Sequence, residues 1–329
     1  MSPTIIALGR DPEAWLPDDL FRSLEQFERV LRSRCGVDLF KGPASLEAVH
    51  HLLDLLSAFK REIPEDPTMD LRPGCRTAVG LSDMAKKAEH VVTHPDFDQL
   101  CPHFALLLKD SRLLQNIRSP LSDAVSNKLF ELLIAMSVMQ FGRDVRLDDP
   151  DDAKGDNPDV ISLIRGADWG FACKVPHTRQ IKSYADNVVR AVEQIEVSPA
   201  EHGLVVIGLK NLFDHDRMWP LYRQEDGSNR YGAWPHYEVA DAAIEAWVGK
   251  LLNGWEEAFG GTEGLDAVFK WRRATPVVLN YVHLTVLVER NGVPVLTSLR
   301  RIIPLDLGYR EDPEAEAVIA ALHDAVQRP

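Results

Sequence analysis

The order of apolar segments in the middle of the chain limits the fold more than any other feature. Residues 122–140 carry apolar side chains at helical spacing, and a second helical pattern covers 181–195. Short apolar runs separated by Asp, Gly and Pro lie between these helices, at 145–147, 160–164 and 169–175. The run GLVVIGL at 203–209 is apolar throughout, as in a strand buried on both faces. This order predicts an α/β fold with a central mixed sheet flanked by helices.

The first third of the chain is helical in pattern. Apolar residues recur every three or four positions in LFRSLEQFERVLRSRC, residues 20–35, and in SLEAVHHLLDLLSAFKREI, residues 45–63. The change from this pattern to short strands places a boundary near residue 118. We therefore predict an all-helical N-terminal domain over 1–118 and an α/β domain over 119–329.

The C-terminal third adds a hairpin and further helices to the predicted sheet. Residues 211–238 read as a loop, and 239–259 as one amphipathic helix. Two long strands follow over 276–305, joined at Asn291-Gly292, a dipeptide typical of two-residue hairpin turns. A last helix is predicted over 313–326.

Composition sets limits on the class of protein. A hydrophobic fraction of 45% with 26% charged residues is typical of a soluble globular chain, and the start of the sequence resembles no signal peptide. No eighteen-residue apolar run occurs, so we expect a cytoplasmic protein that makes no contact with membranes. The four cysteines form no CxxC pair, which predicts free thiols and no zinc ribbon. A net charge of -13 means that any nucleic-acid site must be a local basic patch.

The strand at 169–175 carries the most suggestive side chain. Because side chains alternate across a strand, Gly170, Ala172 and Lys174 share one face, and the apolar residues at 169, 171, 173 and 175 share the other. Lys174 is thus the one cation on its face, beside two very small residues that leave room for a ligand. It either reaches solvent or points into a site.

The residues around this strand resemble the PD-(D/E)XK nuclease superfamily, whose restriction-endonuclease-like core runs helix, three strands, helix, strand. The resemblance covers roughly residues 120–212. It implies that Glu131 in NKLFELLIAM and Asp159 in NPDV bind a metal, with Lys174 as the motif lysine. Ala172 stands where the family usually has an acid, so one expected ligand is missing.

The chemistry of phosphodiester hydrolysis explains these residue types. Mg²⁺ or Mn²⁺ takes carboxylate oxygens and neutralises developing charge, while a lysine orients or helps deprotonate the attacking water. Glu131 is surrounded by apolar residues, and a buried carboxylate needs a partner such as Lys174 or a metal. The alternatives are a Glu131 that emerges at the rim of its helix and an Asp159 that belongs to an ordinary Pro-Asp turn.

The helix after the strand offers substitute acids and phosphate contacts. Asp186 and Glu193 could replace the missing carboxylate, but both lie opposite the apolar stripe and are predicted to face solvent. The predicted nucleic-acid-binding residues precede this helix or flank its stripe, and they are His177, Arg179, Lys182, Asn187 and Gln194. Positive side chains beside a helix N-terminus suit a phosphate, although a solvated loop has the same composition.

The resemblance implies metal-dependent cleavage of DNA, in a setting such as bacterial defence or DNA repair. DNA is then the expected partner, and cleavage of both strands favours a homodimer with two sites. A second hypothesis is a nuclease-fold module that has lost catalysis and binds nucleic acid or a protein partner, the latter through the N-terminal helices. A third is an α/β scaffold unrelated to nucleases.

Overall fold

The computed structural model describes residues 13–15, 17–42, 68–109, 111–119, 124–148, 150, 158–307 and 312–328. The predicted helix at 45–63 and the acidic segment at 151–157 lie outside these ranges.

The strands form one large sheet and one small one. In chain order they are β1 Glu13–Trp15, β2 Arg143–Leu147, β3 Val160–Ile164, β4 Ala167–Lys174, β5 His202–Gly208, β6 Leu221–Arg223, β7 Asn229–Tyr231, β8 Ala274–Arg290 and β9 Val293–Asp306. The large sheet has seven strands in the order β1-β9-β8-β5-β4-β3-β2, and β6 pairs with β7 alone.

The helices lie on both sides of the large sheet. They are α1 Pro17–Cys35, α2 Arg72–Val91, α3 Cys101–Ala105, α4 Ala124–Val138, α5 Ile181–Val197, α6 His215–Met218, α7 Tyr237–Leu251, α8 Trp255–Ala258, α9 Gly261–Phe269 and α10 Pro313–Gln327. Several short 3-10 turns connect them.

The predicted order of elements is confirmed, and with it the α/β class and the mixed sheet. Helix α4 leads into the antiparallel meander β2-β3-β4, and α5 then crosses over to β5, which runs parallel to β4. Strand β8 is parallel to β5, and β9 is antiparallel to β8. Crossover through a helix is the ordinary way to join neighbouring parallel strands.

Both faces of the sheet are buried, each by its own set of helices. On one face, residues of α1, α2, α4 and α10 pack together with Phe171, Val206 and Tyr281 of the strands. On the other, residues of α5, α7, α8 and α9 pack with Val205 and Val278. Near-continuous apolar strands such as β5 follow from this double cover, because neither face meets water.

The N-terminal helices share a hydrophobic core with the sheet. Leu24 and Phe27 of α1 belong to the same cluster of buried residues as Phe130 of α4 and Leu322 of α10. The predicted boundary near residue 118 thus coincides with no division of this core. The segment 1–118 is also not all-helical, since β1 extends the sheet by pairing with β9, and such long-range pairing has no local signal.

The turn between the two long strands has the predicted form. Asn291 and Gly292 have φ angles of 53° and 77°, so both adopt the left-handed conformation that a tight hairpin of this type requires. The strands on either side pair continuously from Arg290 with Val293 to Val277 with Asp306. The Asn-Gly dipeptide therefore correctly predicted the turn that joins β8 and β9.

Two predictions in the second half of the chain need correction. The stretch 211–238 is not only loop, because it contains α6 and the small β6-β7 sheet. The single helix predicted over 239–259 is two helices, α7 and α8. The helix is interrupted before Gly254, whose φ of 80° does not occur inside a helix. Periodicity alone does not reveal such an interruption.

The prediction of free thiols is wrong for two of the four cysteines. Cys35 at the end of α1 and Cys101 at the start of α3 form a disulfide across 66 residues of sequence. Cys75 and Cys173 are free and buried. Spacing gave no hint of the pair, because the two helix ends meet only in the folded chain.

None of the described helices combines the length and apolarity needed to cross a bilayer.

Candidate functional site

Helix α4 holds Glu131 inside the protein. The residues around it are almost all apolar and buried, and Glu131 itself is only 2% exposed. One turn earlier, Lys128 places its Nζ 2.8 Å from Oε2 of Glu131, and Nε2 of His103 lies 3.7 Å from the same oxygen. The buried carboxylate therefore has cationic or polar partners, as burial of a charge demands.

Asp159 lies directly before β3, beside the carboxyl end of β4. Its Oδ2 accepts a hydrogen bond of 2.7 Å from the backbone N–H of Cys173 and one of 3.2 Å from Nζ of Lys174. Since β3 and β4 are antiparallel, the start of one meets the end of the other. Strand pairing alone thus brings Asp159 and Lys174 together.

Glu131 and Asp159 are close enough to influence each other. Burial raises the pKa of Asp159 to about 6, the negative charge of Glu131 raises it as well, and Lys174 opposes both. Burial also raises the pKa of Glu131, against the lowering effects of Lys128, of a hydrogen bond with Asp159 and of Lys174. The structure therefore brings the three predicted catalytic residues into one buried cluster.

The sequence predicts an open face of β4 around Lys174, but this face is covered. Ala172 is fully buried and packs with Tyr184 and Val188 of α5. A Cβ added at Gly170 would lie 2.8 Å from Cγ of Pro158 and 3.1 Å from Cβ of Ala200. The small residues make room for a helix and a proline instead of a ligand, so this expectation is corrected. Only the end of the strand, at Lys174, reaches the site.

The two substitute acids face solvent, as predicted. Asp186 is exposed and pairs with Lys182 at 3.0 Å, one turn earlier on α5, and Glu193 is exposed on the same helix. Their orientation follows from the apolar stripe that packs α5 on the sheet. The helix therefore offers no carboxylate in place of Ala172.

The predicted nucleic-acid-binding residues fall into three groups. His177, just beyond β4, contacts Asn211 just beyond β5, with 3.0 Å between Nδ1 and Nδ2. Arg179 and Lys182 are exposed at the start of α5. Asn187 and Gln194 are half-buried on α5, where the side chain of Asn187 donates to the backbone of its own helix. Only His177 is tied to the ends of the strands.

Sequence reasoning missed Lys128 and His103. Lys128 could have been found, because a lysine three residues before a buried glutamate on one helix face is within reach of it. Burial alone would lower the pKa of Lys128, but the charges of Glu131, Asp159 and Asp148 raise it. His103 comes from a distant part of the chain, and its position beside Glu131 has no sequence signal.

Comparison of the chain with protein-family models, curated proteins and solved structures finds no match. The site is therefore interpreted from its own geometry and chemistry.

The donor set of the cluster fits a hard divalent cation. Glu131 and Asp159 are two buried carboxylates of like charge, and oxygen donors of this kind suit Mg²⁺ or Mn²⁺. Within the described residues, no group of three or more Asp, Glu, His or Cys side chains could hold a metal. A cation here would have two protein carboxylates and take its other ligands from water and substrate, as Mg²⁺ often does.

Proposed function

We propose that this protein hydrolyses phosphodiester bonds of DNA with the help of Mg²⁺ or Mn²⁺. The observation that carries the proposal is the convergence of Glu131, Asp159 and Lys174 in one buried cluster at the ends of β3 and β4. Two carboxylates and a lysine are the groups that this chemistry needs. Glu131 and Asp159 are the proposed metal ligands.

Each residue of the cluster has a proposed role. In hydrolysis the oxygen of water bonds to phosphorus, and the bond from phosphorus to the leaving sugar oxygen breaks. The ammonium of Lys174 orients this water and stabilises the hydroxide character that it acquires. The proton that the water loses passes to solvent, and the leaving sugar oxygen takes a proton from solvent. When bound, the cation supplies charge neutralisation at the phosphoryl oxygens. Lys128 and His103 are positioning residues, since both contact Glu131 and fix its carboxylate.

The proposal includes a restriction-endonuclease-like core. The run of α4, the meander β2-β3-β4, the crossover α5 and the parallel strand β5 supports it, because this is the order of that superfamily's core. Bacterial defence or DNA repair in the cytoplasm is the corresponding setting. A homodimer with two sites would cleave both strands of a duplex.

The second candidate is a nuclease-fold module that binds DNA or a protein partner without cleaving. Ala172 is the observation that favours it, because this buried methyl group contributes no ligand and no acid of α5 takes its place. The N-terminal helices would then supply the surface for a protein partner.

The test is cleavage of supercoiled, linear and single-stranded DNA in Mg²⁺ or Mn²⁺, with EDTA as the metal-free control. Variants Asp159→Asn, Glu131→Gln and Lys174→Ala are compared with wild type at equal folding. We expect a loss of at least about 100-fold in rate for each, the scale of lost acid-base or electrostatic catalysis.

Two matched control variants show whether a loss of cleavage comes from the proposed site or only from a change in the charge of the protein. Asp168→Asn changes an aspartate near the other end of β4, where it pairs with the exposed Arg146, and Lys250→Ala removes an exposed lysine of α7. Both should cleave like wild type. Equal activity of Asp159→Asn and Asp168→Asn would refute the proposed site. Binding of DNA with no cleavage under any condition would favour the second candidate.

A further inference from the structure

A cavity of about 390 Å³ lies beyond the strand ends, outside the cluster of Glu131, Asp159 and Lys174. Its walls are the first turns of α2, the segment 112–118 and the segment 213–216 that follows β5. Three arginines line it, Arg76, Arg112 and Arg118, together with His215. The volume is in the range of small-molecule sites, and it is large enough for a nucleotide unit.

Hydrogen bonds join the wall of this cavity to the proposed active site. Nζ of Lys210 donates to the backbone oxygens of residues 112, 113 and 114. Asn211 accepts from the backbone N–H of Ser119 at 2.8 Å, and its amide contacts His177, three residues beyond Lys174. The segment that carries Arg112 and Arg118 is therefore fixed to the same end of β4 and β5 as the proposed active site.

Arg76 is a fixed cation in the cavity wall. It is only 8% exposed, its guanidinium bonds to Asp216 and to the backbone oxygen of His215, and it lies 5.9 Å from the ring centre of Trp219. Asp216 is shared with Arg72 as well, so its charge is already offset. Arg112 and Arg118 are exposed where they line the cavity. Asp214 also lines the cavity, and its side chain accepts from the backbone N–H of Arg217. The lining thus has three arginines against two aspartates, a net surplus of one positive charge.

Two buried polar atoms of the lining side chains have no hydrogen-bond partner. They are Nε of Arg76, a donor, and Nδ1 of His215. Burial lowers the pKa of His215 to about 4, and Nε2 bonds to the backbone oxygen of Lys210, so Nδ1 is an unprotonated acceptor. Buried polar atoms are almost always paired, and an anionic oxygen in the cavity would accept from Nε of Arg76. Nδ1 of His215 is itself an acceptor and needs a donor such as water.

We propose that this cavity binds a phosphate group of the nucleic-acid strand, next to the nucleotide that is cleaved. The identity of the ligand rests on the proposed function. Guanidinium groups match phosphate oxygens in geometry and charge, and phosphate contacts position a strand without reading its sequence. A strand held in the cavity passes the His177–Asn211 contact on its way to Lys174. Because the net charge is -13, a nucleic-acid site in this protein must be a local basic patch. Arg76, Arg112 and Arg118 would form that patch.

The test is binding of a labelled oligonucleotide, measured by fluorescence anisotropy in EDTA so that no cleavage occurs. Arg118→Ala and the pair Arg112→Ala with Arg118→Ala are compared with wild type. Arg29→Ala, which removes an exposed arginine of α1, is the matched control. We expect the double variant to bind about tenfold more weakly and with a salt dependence reduced by about one unit per arginine. The control should bind like wild type.

Oligonucleotides with a 5′-phosphate and with a 5′-hydroxyl show whether the bound phosphate is a strand terminus or part of the backbone. A gain in affinity from a 5′-phosphate that Arg118→Ala abolishes would assign the cavity to a strand terminus. Equal affinity of 5′-phosphorylated and 5′-hydroxyl strands, with both weakened in Arg118→Ala, would assign it to the backbone. Both results support the inference. Affinity and salt dependence unchanged in the double variant, or no binding by wild type, would overturn it.

Asp159→Asn separates this inference from the proposed function. It should lose cleavage and keep the affinity for DNA, because Asp159 does not line the cavity. If wild type binds but never cleaves, and the arginine variants still bind more weakly, the nuclease proposal fails while the phosphate site stands.

Discussion

Two clusters of charged residues differ in how many carboxylates share the surrounding cations. The site cluster combines the carboxylates of Glu131 and Asp159 with two lysines near the strand ends. The second cluster has one carboxylate, Asp83 of α2, facing Arg300, Lys87 and His283. The carboxylates are buried in both clusters. Yet the pKa of Asp159 is raised to about 6, whereas that of Asp83 is lowered.

The comparison shows that neighbours, more than depth, decide whether a buried carboxylate stays charged. Arg300 pairs directly with Asp83, and His283 is 3.9 Å from its other oxygen. Nζ of Lys87 donates to three backbone oxygens at the end of α10. Every cation there has a fixed partner, so we call it the structural cluster. At the site, like charges remain close together, a common property of functional sites.

Removal of Asp83 should have the largest effect on stability. Asp83→Ala leaves Arg300 buried without its carboxylate, and breaking a buried pair in this way costs about 3–5 kcal/mol. Urea unfolding of the variant, followed by circular dichroism, gives the free energy of unfolding. Asp168→Asn, which loses only an exposed ion pair, should change it by less than about 1 kcal/mol. Similar values for the two variants would contradict the structural role of Asp83.

Acid should weaken the structural cluster through protonation of His283. Burial lowers the pKa of His283 from 6.5 to about 4, with Arg300 and Lys87 lowering it further and Asp83 opposing. Between these values the unfolded chain binds a proton that the folded protein does not. The stability that His283 contributes therefore falls as pH drops from about 6.5 to 4, by up to about 1.4 kcal/mol per pH unit. Asp159, whose pKa is raised to about 6, contributes with the opposite sign below pH 6.

The variant His283→Gln tests this assignment, since glutamine does not titrate and its amide can donate to Ser298 in place of Nε2. Its unfolding free energy should rise less between pH 4 and 6.5 than that of wild type. His215 also has its pKa lowered to about 4, so some dependence will remain. An unchanged slope would exclude His283 as a contributor.

Lys87 and Lys174 should respond differently to the same substitution. Lys87→Met leaves three carbonyls at the end of α10 without their donor, and we expect a loss of about 2 kcal/mol. Lys174→Met removes a partly exposed lysine, for which we expect less than about 1 kcal/mol. Thermal unfolding at one pH compares the pair directly. A larger loss for Lys174→Met would reverse the distinction between the clusters.

The smallest expected effect is a gain in stability. Asp159→Asn removes the repulsion with Glu131 while keeping an oxygen that can accept from Cys173, and it should stabilise the metal-free protein by about 1 kcal/mol. Functional sites often sacrifice stability in this way. Chemical unfolding in EDTA measures the change. A loss of more than about 1 kcal/mol would place Asp159 with Asp83 as a structural residue.

The sequence was informative about the site where local pairing decides the contact. Antiparallel pairing of β3 with β4 brings Asp159 to Lys174, so the spacing of the two residues was enough to predict their proximity. Lys128 was within reach of the same reasoning. His103 and the cavity arginines were not, because their places depend on how the N-terminal helices pack against the sheet.

The sequence by itself determined the order of helices and strands, the hairpin turn at Asn291-Gly292 and the exposure of Asp186. Each depends on residues within a few positions of one another, through periodicity, turn chemistry or the alternation of side chains. Tertiary structure alone decided the Cys35–Cys101 pair, the addition of β1 to the sheet and the covering of Ala172 by α5. These contacts join distant parts of the chain, and their free energy exists only once the whole core has formed.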